Sequence, residues 1–179
     1  IDFTGSIFRN TLFDESNMDQ ACISGCQIKN VTFQNNEMIS ELACENSNIK
    51  SIAIKNTVFS NCSFSNTLLF ELNLEEAVFD NCNFFKSQFV NSDLSRNDVQ
   101  FINCNFYKSK FTNSSISFQK DKYTNCNLKE VSMDSCEIFV LDKENPQKSV
   151  PPDVKLVNPK IESRKLLAER QAKLEKALS

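Results

Sequence analysis

The residues best equipped for chemistry are eight cysteines, and four of them recur in one frame. The stretches "FSNCSF", "FDNCNF", "FINCNF" and "YTNCNL" begin at Phe59, Phe79, Phe101 and Tyr123. They place Cys62, Cys82, Cys104 and Cys126 at separations of 20, 22 and 22 residues. Regularly spaced thiols suit a metal site, a disulfide framework or a nucleophile. A zinc site needs N or S ligands converging on a tetrahedron. The sequence has no His and no C-x2-C pair, and equivalent thiols in a row cannot surround an ion. Disulfides need side chains that face each other, whereas equivalent side chains in a stack run parallel. A Cys nucleophile needs an activating partner, and the outward-placed Cys22 shows none. The remaining role is that of small core fillers, common for free Cys. Buried free thiols favour a reducing compartment, the cytosol. Paired acids such as Glu75 and Glu76 fall at outward positions, where a solvated face is the expected role, and there is no glycine-rich phosphate loop. The chain therefore reads as a non-enzyme without metal or cofactor.

What positions the cysteines is a five-residue period. Large apolar residues run every fifth position from Phe3 through Phe8, Phe13, Met18, Ile23, Ile28 and Phe33 to Met38. After one extra residue near Ser40–Ala43 they continue from Cys44 to Leu94. After two more at Ser95–Gln100 they run from Phe101 to Phe111, and after another two at Thr112–Ser117 from Phe118 to Ile138. That makes 27 repeats, and 13 of the 16 Phe residues occupy the centre, so the period cannot be chance. Two residues before each centre sits a small or modest residue, such as Ala21, Cys26, Thr67, Cys82 or Ser109. Five matches neither the helix period of 3.6 nor the strand period of 2. A chain that turns a corner every five residues closes a square coil after four, with coils stacked at the ~4.8 Å of neighbouring strands.

Within this pattern "IDFTG", "TLFDE", "AVFDN", "CNFFK" and "SDLSR" resemble the pentapeptide-repeat family, over about residues 1–140. The resemblance implies an all-β solenoid, a right-handed quadrilateral β-helix of about 6–7 coils. The centre and the residue two before it would point inward. The chain departs from the family's Ala-Asp-Leu richness, favouring Phe at the centre and Cys, Ser or Thr at the small position. Residues 141–157 read as a proline-containing linker, and residues 158–179 as a C-terminal α-helix with Asn158 as N-cap and Pro159 in the first turn. Its stripe of Leu167, Leu174 and Leu178 either covers the open edge of the coil or docks a following domain or a second copy.

Charge is unevenly spread. Residues 1–80 carry 11 acids against 4 bases, residues 81–140 carry 6 against 7, and residues 141–179 carry 6 against 9, so the chain is polarised end to end. The net charge of −3 is too small to argue for nucleic acid or a membrane surface. Candidate partner-binding residues are Phe70 and Phe85, which follow centres and should be exposed, and Arg96, Asn97, Asp98 and Asn113 in the two expected loops, together with the helix stripe. The leading function is a scaffold that recruits a protein partner. The resemblance also implies a finer version, the substrate-recruiting β-helix of a bacterial effector of HECT-like E3 ligase type. The opening at Ile1 without Met reads as a segment of a longer chain. The alternative is a DNA-mimicking pentapeptide-repeat protein that binds DNA gyrase or topoisomerase, favoured by the acidic N-terminal half.

Overall fold

The computed structural model describes residues 1–119 and 121–178, except the side chain of Leu178. Four columns of centres stack in register, one per face of a parallel β-solenoid of about seven turns. The first face is held by bridges along Asp2, Cys22, Ala43, Ser63, Asn83, Asn105 and Asn127. On the second, Phe8 pairs with Ile28, Ile49, Leu69, Phe89, Phe111 and Met133 in turn. The third stacks Phe13 on Phe33, Ile54 and Leu74, and later Leu94 on Ile116 and Ile138. The fourth runs Ile39, Phe59, Phe79, Phe101 and Tyr123. Inside, the rings form parallel stacks, for example Phe59–Phe79 at 5.2 Å and Phe79–Phe101 at 5.1 Å.

The corners explain why the sequence is rich in Asn and nearly free of Gly. The second residue after most centres lies in the left-handed region, from Asn56 at φ 42° to Lys108 at φ 60°. Asn accounts for 13 of the 23 non-glycine residues there, because its short polar side chain makes this region tolerable to an L-residue. Gly5 and Gly25 serve the same corner in the first two coils.

The small inward residues do more than save space. Where this residue is Ser, Thr or Cys it carries a donor that satisfies carbonyls at the corner: Thr67 Oγ1 donates to Cys44 O at 2.7 Å, and Ser87 Oγ to Phe64 O at 2.6 Å. The thiols act likewise, Cys82 Sγ reaching Phe59 O at 3.5 Å and Asp80 O at 3.4 Å. A buried carbonyl without a partner would cost stability, so Cys, Ser and Thr suit this position better than Ala.

Two placements differ from the five-residue count. Met38 is 55% exposed, and Ile39, fully buried, takes its place in the column. The extra residue therefore falls at Glu37–Met38, ahead of Ser40–Ala43. Asn36 stands in for the small inward residue, accepting from Ser16 N at 2.8 Å and donating to Phe13 O at 3.2 Å. Likewise Ile116, paired with Leu94 and Ile138, is a centre, and Phe118 lies beyond it in a loop while remaining buried. The second insertion thus follows Ile116 and does not occupy Thr112–Ser117. Hydrophobicity cannot separate Met from Ile or Phe from Ile at neighbouring positions, and the ladder register does.

The end of the chain also differs. Residues 141–157 hold a short 3-10 turn, Pro146–Lys148, and a strand, Lys155–Val157, that pairs with Ser132–Asp134. Lys160–Ser163 then extends the third face beside Glu137–Val140. The solenoid therefore continues into an eighth, partial turn. Asn158 is a left-handed corner at φ 46° and not an N-cap. The helix, α1, spans Arg164–Leu178, and Leu166 N donates to Ser163 Oγ at 3.4 Å at its start.

Candidate interaction surfaces

With the insertion relocated, the two longest repeats, Leu94 to Phe101 and Ile116 to Tyr123, lie on the same corner of consecutive coils. Their loops are tied together. Lys122 Nζ donates to Arg96 O at 2.6 Å and to Ser117 Oγ at 3.1 Å, and Ser117 Oγ donates to Ser95 O at 2.8 Å. Gln119 links Asn97 O (3.5 Å) to Arg164 Nη2 (2.7 Å), which joins the loops to the start of α1. Arg96 forms a two-pronged pair with Asp98 at 2.7 and 3.1 Å, with Glu75 at 3.9 Å. Burial works against the Asp98 carboxylate, but the hydrogen bonds and charge of Arg96 prevail and hold it below its usual range. Asn97, Gln100, Gln119, Asp121, Lys122 and Arg164 line a groove of about 280 Å³ here.

Lys122 is 1% exposed and the only charged side chain buried among the described residues. Burial lowers its pKa to about 7, against the opposing pull of Asp93 and Asp98. Sequence reasoning missed it, because nothing in the five-residue pattern marks a lysine one residue before a centre as inward. Arg96, Asn97 and Asp98 do lie in the first loop. Asn113 does not: it is an ordinary corner at φ 49°.

Phe70 and Phe85 are half-buried and sit on different faces, so they form no joint patch. Each lies under a lysine: Lys50 Nζ is 5.1 Å from the Phe70 centroid and Lys86 Nζ 4.9 Å from that of Phe85. Tyr107 stacks on Phe85 at 5.8 Å, with Lys108 Nζ 4.9 Å above it. Tyr107 follows the centre Phe106 as Phe85 follows Phe84, and that repeat was the signal for it.

All eight cysteines are free thiols, and six are buried. Contacts with Cys104 and Cys62, then burial, raise the pKa of Cys82; the contact with Cys104 and burial raise that of Cys126. Hydrogen bonds with Cys126 and Cys82 lower that of Cys104, against burial. Burial disfavours a charge at every member; at Cys44, a centre of the first face outside the column, it pushes the thiol up to about 12. The column packs the core and donates to corner carbonyls.

On α1, Leu167 is buried against the last turn, and Arg170 Nη1 bonds both oxygens of Glu137 at 3.0 Å. Leu174 is 63% exposed. The side chain of Leu178 lies outside the described set. The first half of the helix covers the coil edge and residues 172–177 are exposed. No helix among the described residues is long and apolar enough to cross a membrane.

A family model described as pentapeptide repeats matches residues 1–35 and 57–96, in eight copies. The four-column register carries the same coil between and beyond these segments. The chain carries pentapeptide repeats. A trypsin-treated form of QnrB1, a plasmid-mediated fluoroquinolone resistance protein, shares the fold. It is 17% identical with a TM-score of 0.57, over 95% of this chain and 91% of that one. HetL, a pentapeptide repeat protein involved in heterocyst differentiation regulation in the cyanobacterium Nostoc, aligns at 11% identity and a TM-score of 0.33, over 90% and 86% of the two chains. No curated protein matches the sequence. Pentapeptide repeats account for the rod, and the paired loops and the C-terminal helix depart from the five-residue period.

Proposed function

We propose that this pentapeptide-repeat domain is a non-enzymatic scaffold that recruits a protein partner through the paired corner loops. The observation that carries this is the cross-bracing of the loops by Lys122, Ser117 and Gln119. A protruding edge held rigid before binding loses little entropy on association. The finer reading is a substrate-recruiting module of a bacterial effector of HECT-like E3 type, working in a reducing cytosol that suits the buried thiols. A gyrase-directed DNA mimic fits less well. Its negative charge would have to run along the whole rod, whereas the excess of acids is confined to the N-terminal coils.

Photo-crosslinking from position 97, compared with position 61 on another corner, tests the proposal. A discrete protein adduct from position 97 alone, lost in Arg96→Ala, is expected. Identical adducts from both positions, or none, would overturn the loop reading. For the ligase version, the same partner must be ubiquitinated by the full-length protein and spared when the loop is altered.

A further inference from the structure

Counted along the chain, the first 80 residues are acidic. In three dimensions, three of their four bases stand on one face. Arg9 pairs in register with Lys29, and Lys29 with Lys50. All three side chains are exposed. Neither Arg9 nor Lys29 has an ion pair among the described residues, and the contact shown for Lys50 Nζ is the Phe70 ring. The column then turns apolar, with Phe70 beside Lys50 and Val90 beside Phe70. The companion column of this face is Ile7, Gln27, Asn48, Leu68, Gln88 and Lys110. No carboxylate occupies either column until Asp134 in the last full coil.

Like charges directly opposite in a ladder destabilise a sheet. The column therefore works against folding, and no carboxylate relieves it. We propose that this face is a second docking surface, separate from the corner loops, and that its occupant is an extended acidic segment of a protein. The segment's carboxylates would lie along Arg9, Lys29 and Lys50, and an apolar residue would follow onto Phe70 and Val90. A shallow groove of about 140 Å³ between the two columns runs beside the three cations. Phe70 and Val90, next along the same column, offer an apolar contact that the phosphates of a bilayer surface or a nucleic acid would leave unused and a peptide side chain would fill.

The test uses the full chain and a fluorescein-labelled peptide with a run of Glu followed by Leu-Phe. Saturable binding, weakened about tenfold or more by Arg9→Glu/Lys29→Glu/Lys50→Glu and by added salt, is expected. Arg96→Ala, in the corner loops, should leave this binding unchanged, which separates the present proposal from the loop reading. If the triple charge reversal does not fold, Arg9→Gln/Lys29→Gln takes its place, with a smaller loss expected. Absence of peptide binding, or equal binding by wild type and variant, would overturn the proposal. Equal or tighter binding of single-stranded DNA or phosphatidylserine vesicles through the same three residues would overturn the choice of a protein segment.

Discussion

Lys122 offers a quantitative test of the corner. An unfolded lysine holds its proton up to about pH 10.5, and the folded one holds it only up to about 7. Between those values the unfolded state binds more protons, so the contribution of Lys122 to stability rises with pH through this window and is flat below it. At about 1.36 kcal/mol for each pH unit, the full span corresponds to about 5 kcal/mol. Water drawn into the groove beside a protonated amine screens part of that, leaving about 2–4 kcal/mol. Lys122→Met keeps the length of the side chain and removes the titration. It also removes the bonds to Arg96 O and Ser117 Oγ, at a cost of about 1–3 kcal/mol that does not vary with pH. Wild type and variant should therefore be close in stability near pH 6.5. Wild type should pull ahead steadily toward pH 9.5, with a slope approaching one proton. Urea melts of both proteins across this range, read by circular dichroism, give the difference directly. Other titrating groups are common to both and cancel. A difference that stays constant with pH, or shrinks as pH rises, would refute the buried, depressed amine.

Three further perturbations probe the rest of the fold. Phe79 stacks between Phe59 and Phe101, so Phe79→Ala should cost about 3–5 kcal/mol in a chemical melt. At the corners, Asn81→Ala should lose about 1–2 kcal/mol while Asn81→Gly stays near wild type, since only the first forces a Cβ-bearing apolar residue to φ 51°; equal losses would mean that the bond from Asn81 Nδ2 to Asn61 Oδ1 (2.6 Å) is what matters. On α1, Leu167→Ala should lower stability by about 2–3 kcal/mol and Leu174→Ala by less than about 0.5, and a reversed order would mean that the helix docks by its other half.

Much of the fold was legible because a solenoid repeats one local problem. Every coil asks the same positions to point inward, so Phe64, Phe84 and Phe106 announce each other, as do Cys62, Cys82 and Cys104. The slips came where two apolar residues were adjacent or nearly so. Met38 and Ile39 both suit a core by type, and only pairing with Phe59 selects Ile39. Phe118 outranks Ile116 by size, yet Leu94 and Ile138 take Ile116 as their partner. That slip concealed the pairing of the loops, and with it the position of Lys122. The helix was found but begun six residues early, because Asn158 and Pro159 look like a cap while Lys160–Ser163 still had a strand to join.

By itself, the sequence determined the coil, the identity of most of its inner residues and the role of the cysteines as core fillers. These depend on a period of five that each repeat states locally. The tertiary structure alone decided which residues of different coils share a face. A single extra residue at Glu37–Met38 or two in a loop shifts every later position relative to the earlier coils. For that reason the charges look polarised from end to end in the sequence, while Arg9, Lys29 and Lys50, spaced 20 and 21 residues apart, stand in one row. Burial of Lys122 has the same origin, since the carbonyl it serves belongs to the coil below.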